Sequence, residues 1–159
     1  MRKHEKLSQN GLIALNIKPL PAQIKITFKS QLNRSEDPKK VEQAIKNIAG
    51  IEEISFVKDN KEILTAEIDN QKGLDNIYEK IRSRQSAGVT RRLLIQNSTN
   101  SNTWIFFHKQ AAYVNVLNVC EDESNVSLGH IKLIIQSPEP LRIIDWLTPS
   151  KSKVKSEIK

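Results

Sequence analysis

Ile24-Lys25-Ile26-Thr27-Phe28-Lys29-Ser30-Gln31-Leu32, followed at Asp37-Pro38 by a run that ends at Gly50, is the stretch that decides the fold class. Ile24, Ile26, Phe28 and Leu32 alternate with Lys25, Thr27, Lys29 and Gln31, and Ser30 is the one polar lapse on the apolar side. Successive side chains of a strand point to opposite faces, so this period of two predicts a strand with one buried face. Asp37 offers an N-cap oxygen, and Pro38 has the fixed backbone angle that suits a first helical residue. Val41, Ile45 and Ile48 then recur at helical spacing, and Gly50 stops the helix.

Outward from this unit, Ile54 and Phe56 open a second strand, Asp59-Asn60 makes a tight turn, and Ile63 to Ile68 returns as a third. Leu74, Ile77, Tyr78 and Ile81 fall at i, i+3, i+4 and i+7, which predicts a helix. The pattern weakens through Ser83–Ala87 and resumes at Val89, Leu93 and Leu94, giving two helices broken near Ser86–Gly88 or one kinked helix. Asn97 to Asn102 reads as a polar loop. Trp104–His108 is apolar on both faces, as expected of a strand inside a sheet. Tyr113 to Cys120 alternates with a phase slip at Val116-Leu117, where a bulge fits. Ile131, Leu133 and Ile135 form the last strand, and Ser137-Pro138 caps a short helix carrying Leu141, Ile144 and Leu147. The order β-α-β-β-α-α-β-β-β-α predicts a single α+β domain over 21–149, with a mixed, largely antiparallel sheet and helices packed on one face.

The chain has 159 residues, 38% of them hydrophobic and 27% charged, which fits one globular domain with tails. Its formal charge is +7, but the charge is unevenly placed. Residues 1–20, a partly ordered basic lead-in, hold +3; so do residues 151–159, within a basic flexible tail at 150–159. Residues 21–150 carry 17 basic and 16 acidic side chains and are close to neutral. Inside them, Lys80 to Arg92 has five bases and no acid, whereas Glu52 to Asp69 is net −4 and Glu121-Asp122-Glu123 adds a further acidic knot. A dipolar surface of this kind can steer a polyanion to one side; equally, the two kinds of stretch can pair with each other or stay solvated.

Little in the chain points to catalysis. The single cysteine, Cys120, excludes an internal disulfide and a multi-cysteine metal site, and the acids beside it would raise a thiol pKa and disfavour the nucleophilic thiolate. His4, His108 and His130 are scattered without ligand spacing, and none of the five glycines forms a phosphate-cradling loop. No cofactor is expected. Apolar runs fall far short of the ~20 residues that span a bilayer, and a cytoplasmic location is expected. The residues best suited to a ligand are Arg82, Arg84, Arg91 and Arg92, because guanidinium groups grip phosphate oxygens in pairs. The eight aromatics mostly sit in core phase, so backbone or shape recognition of a nucleic acid is expected rather than base reading.

Lys109-Gln110-Ala111-Ala112, then Ser127-Leu128-Gly129-His130-Ile131, then Ile144-Asp145-Trp146-Leu147-Thr148-Pro149 together resemble the motifs of an archaeal family of uncharacterised proteins described as predicted RNA-binding or exosome-associated. That family has a KQAA-type motif, a PLGPI-like turn and an IDWL-A-P-like ending. Ser127 and His130 depart from its prolines, and Thr148 from its small residue. Arg84-Gln85 and Arg92 match its arginine- and glutamine-rich helix, but Val89 stands where an acid is usual. The resemblance implies a fold similar to the fifth large-subunit ribosomal protein, an α+β RNA-binding domain. It also draws in Lys109 and Gln110, which could bind a phosphate or satisfy loop carbonyls, and gives Asp145 and Trp146 a structural part in locking the last helix.

The expectation is therefore a non-enzymatic RNA-binding or ribonucleoprotein-associated domain that contacts the phosphate backbone through Arg82, Arg84, Arg91, Arg92 and Lys109. The alternative is a protein-interaction or homodimerisation module on a sheet edge, without nucleic-acid binding.

Overall fold

The computed structural model describes residues 23–83, 85–121 and 129–149. The expected lead-in at 1–20 and tail at 150–159 lie outside these residues. Strand β1 (Lys25–Gln31) leads to helix α1 (Pro38–Ala49), then the hairpin of β2 (Phe56–Lys58) and β3 (Ile63–Ile68). Helices α2 (Lys72–Ser83) and α3 (Ala87–Gln96) follow, then β4 (Asn102–His108), a short helix α4 (Lys109–Tyr113), β5 (Val119–Cys120), β6 (His130–Gln136) and α5 (Pro140–Leu147). The strands form one six-stranded sheet in the order β2-β3-β1-β6-β4-β5, and every pairing is antiparallel. The α+β class with helices on one face holds; the sheet is wholly antiparallel among the described strands.

The alternation expected for β1 decides the layers. Ile26 and Phe28 are fully buried, and their partners across the ladder, Ile135 and Leu133 on β6 and Ala66 on β3, face the same way. Ile105 and Phe107 continue this face on β4. Val41, Ala44, Ile45 and Ile48 of α1, Leu74, Ile77 and Ile81 of α2, Leu93 and Leu94 of α3, and Ile143, Ile144 and Leu147 of α5 close over it as one core. Truncating a ring such as Phe28 to alanine in a core of this kind costs about 3–5 kcal/mol, from lost transfer energy plus the cavity left behind.

The ends of α1 are those read from the residues. The Asp37 carboxylate accepts from the Lys39 N–H at 3.0 Å, Pro38 sits in the first turn, and Gly50 takes φ 69° and donates its N–H to the Lys46 carbonyl at 2.7 Å. The break between α2 and α3 is also real. Gln85 has φ 54°, and the Ser86 N–H returns to the Ile81 carbonyl, so the chain turns there and no single helix face joins α2 to α3.

Two expectations need correction. Tyr113 to Cys120 is not a bulged strand: Lys109–Tyr113 coils as α4, and only Val119–Cys120 pairs with β4. Lysine, glutamine and alanine favour a helix, and the Asn47 side-chain amide of α1 holds the carbonyls of Ala112 and Tyr113 at 2.9 and 3.1 Å. Asn115, at φ 64°, then redirects the chain toward β5. In the last helix the cap falls at Glu139 with Pro140 in the first turn, and Ile143 is buried while Leu141 is 58% exposed.

Candidate nucleic-acid interface

Arg82, Arg91 and Lys109 are held by partners within the chain. Arg82 lies with its guanidinium 3.4 Å from the centre of the Tyr78 ring, and that ring stacks on Trp146 with centroids 4.7 Å apart. Its Nη1 donates to the carbonyls of Tyr78 (3.2 Å) and Leu147 (3.1 Å), and its Nη2 to that of Trp146 (3.4 Å). Helix C-termini leave carbonyls without intrahelical partners, and here one fork of donors meets two of them at the end of α5. Arg91 completes the clamp, donating to the Asp145 carboxylate at 2.8 Å and the Thr148 carbonyl at 2.9 Å. The Ile144–Pro149 motif thus has a physical account: its aspartate, tryptophan and threonine are the contact points that fasten α5 to α2 and α3.

Lys109 is buried where β4 ends and α4 begins. Its ammonium donates to the Gln31 carbonyl at 2.7 Å and the Glu36 carboxylate at 2.9 Å, and it lies against Gly129, where a Cβ would approach the nitrogen to 3.3 Å. It ties the loop after β1 to the start of α4. A buried ammonium is stable only with such partners. Gln110 is exposed. Arg92 is exposed and pairs with Glu121, the residue after β5, at 2.9 Å. Arg84 lies outside the described residues. The described residues of the acid-free stretch therefore do not form one patch: Arg82 and Arg91 face inward to α5, and Arg92 reaches the rim at β5.

The other face of the sheet has the surface character that the sequence reading missed. Five aromatics, Phe28, Phe56, Tyr78, Phe107 and Trp146, belong to the core or pack against it, but Trp104, Phe106 and Tyr113 do not. Trp104 and Phe106 are half-buried on β4, on the side away from the helices. The register lines up Val57, Thr65, Lys29, Lys132, Phe106 and Cys120 in one row across all six strands. The next row runs Glu67, Thr27, Ile134, Trp104. The Lys132 ammonium stands 5.2 Å from the centre of the Trp104 ring and 5.7 Å from that of Phe106, and the His130 ring meets Phe106 at 4.4 Å. Lys25, Lys29 and Lys132 set three positive charges on this face against Glu67, which pairs with Lys25 at 3.4 Å. Among the described residues Lys132 has no acidic partner, and Lys29 makes no close ion pair, its charge acting at a distance on Asp59.

The remaining reactive groups are quiet. Cys120 is buried, and loss of solvation pushes its thiol up to about 11, so the direction expected from its acidic neighbours holds but the cause is burial. Among the described residues, no group of three or more histidine, cysteine, aspartate or glutamate side chains could hold a metal ion, and no helix is long and apolar enough to cross a membrane.

A family described as RNA binding matches residues 25–136. A UPF0201 protein of Sulfurisphaera tokodaii is 33% identical over 130 residues, covering 81% of this chain and 90% of its own length. Its counterpart in Methanothermobacter thermautotrophicus is 34% identical over 128 residues, covering 80% and 93%. The crystal structure of a UPF0201 protein from Methanococcus jannaschii has a TM-score of 0.66 to this fold at 25% identity, covering 79% of this chain and 99% of that one. With the match spanning every strand from β1 to β6 and the relatives aligning over nearly their whole length, the chain belongs to this RNA-binding family, among its archaeal UPF0201 members.

Proposed function

We propose that this chain is a non-enzymatic RNA-binding domain that holds RNA against the sheet face turned away from the described helices. The observation that carries the reading is the row in which Lys29 and Lys132, neither held in a close ion pair among the described residues, lie in line with Phe106 on a face outside the core. Lys25, paired with Glu67, and Arg92, paired with Glu121 at the β5 rim, are exchangeable surface cations beside this row. The family's description supports the reading. Arg82, Arg91 and Lys109 enter it as groups that hold the scaffold, whereas Arg92 keeps the phosphate-binding part expected from the sequence.

Phosphate contacts release counterions, so affinity for a fluorescein-labelled twelve-nucleotide RNA should fall steeply as salt rises. Replacing Lys25, Lys29 and Lys132 together with glutamine should weaken binding at low salt by tenfold or more. It should also flatten the log–log salt slope by about 2, at ~0.7 per phosphate contact on a single strand. An unchanged slope and affinity would place the interface elsewhere. The competing assignment, an interaction or homodimer module, draws on the edge strand β2, where Val57 is 68% exposed. A discrete larger species in sedimentation, indifferent to the lysine variants and to RNA, would favour that assignment.

A further inference from the structure

We infer that the ligand of this face is an unstacked single strand of RNA, with two successive bases laid on Trp104 and Phe106; the inference rests on the RNA-binding reading above. The two residues are two positions apart on β4, so their side chains leave the same face about 6.8 Å from each other. Bases stacked in a helix are about 3.4 Å apart along each strand. A stacked helix cannot seat neighbouring bases on both rings, whereas a strand with its bases splayed can. Paired bases also bury the faces that an aromatic ring would cover, and this is why base-specific recognition of RNA favours unpaired segments.

The surroundings of the two rings fit this use. Phe106 is braced on one side by the His130 ring at 4.4 Å, and Trp104 stands opposite Ile134 in the ladder. The two rings share one cation, Lys132, at 5.2 and 5.7 Å. An ammonium over a ring is weakly held, and a phosphate is the stronger partner. An arriving base can take the place of the lysine on the ring while the ammonium moves to the phosphate joining the two bases. Lys29 lies directly across from Lys132, one strand further from β4, about 4.8 Å away. Bases over β4 and backbone over β6 and β1 is therefore the arrangement that satisfies both the rings and the charges.

The test compares an eight-nucleotide RNA of mixed sequence, end-labelled, with the same strand annealed to its complement. The full chain should bind the single strand at least tenfold more tightly than the duplex. Trp104→Ala and Phe106→Ala should each weaken single-strand binding roughly five- to hundredfold. They should leave the salt slope unchanged, because no phosphate contact is lost. Trp104→Phe should retain most of the affinity, which separates stacking from loss of fold. Tryptophan fluorescence should be quenched by the single strand, and the quenching should persist in Trp146→Phe. If the aromatic variants bind like the parent while the lysine variants do not, stacking is wrong and RNA binding stands. If the chain binds neither RNA form, the RNA-binding reading itself fails. If Trp104→Ala instead dissolves a dimer, the face is a self-contact and the inference is overturned.

Discussion

Arg82 shows how a charge that looks available can be committed. Its guanidinium meets three backbone carbonyls and one ring, and the carbonyls of Trp146 and Leu147 lie at the open end of α5. Lysine keeps the charge but has neither the planar fork nor the stacking surface. Arg82→Lys should therefore lower stability by about 1–2 kcal/mol, read as a shift of the thermal midpoint, with RNA affinity of the folded protein within about twofold of the parent. A normal midpoint with a tenfold loss of RNA binding would return Arg82 to the interface. The composition of Lys80 to Arg92 was plain in the residues, but the partners were not, because Asp145 and the α5 carbonyls lie more than fifty residues away in the chain. Cys120 was legible to the extent that its surroundings disfavour the thiolate, and the burial that causes this is a product of the fold.

At the scale of elements, α1 is the most completely encoded. Its N-cap, its first-turn proline, its apolar spacing and its terminal glycine all agree, and agreement among independent local signals is what makes a segment legible. Gly50 also has a tertiary reason to be glycine. A Cβ there would stand 2.6 Å from the Cβ of Asn76, whose side-chain amide caps the Asn47 and Ile48 carbonyls at 2.9 and 3.0 Å. Gly50→Ala combines a left-handed backbone that costs about 1–2 kcal/mol with that clash, so a loss of about 2–3 kcal/mol is expected in urea unfolding. Gly50→Asn tolerates the backbone but not the approach; if it matches the parent, the clash carries no weight. The segment from Tyr113 to Cys120 was the least legible. Its period of two is genuine, yet the bonds from Asn47 stabilise a helical turn at its start, and Asn115 ends the alternation.

At the scale of the whole molecule, β6 joins two halves. The β2-β3-β1 ladder comes from residues before 69 and the β4-β5 pair from residues after 101, and β6, late in the chain, slots between β1 and β4. Strands paired on both sides open only when the sheet opens. Amide exchange should therefore be slowest in β1 and β6 and faster by several orders of magnitude in the short edge strands β2 and β5, as hydrogen-exchange mass spectrometry would show. Equal protection at the edges would mean that they are covered in solution. The residues by themselves determined the α+β class, the positions of the main strands and helices, and the absence of any clustered ligand spacing, because periods of two and 3.6, caps and breaks act over a few neighbours. Only the tertiary structure decided which apolar side of β4 is core. Ile105 and Phe107 on one side and Trp104 and Phe106 on the other read alike in sequence. The helices settle on the first pair, and the insertion of β6 sets Lys132 beside the second. What separates a buried ring from one on the opposite face of the sheet here is strand order, a long-range property that no local pattern in the chain contains.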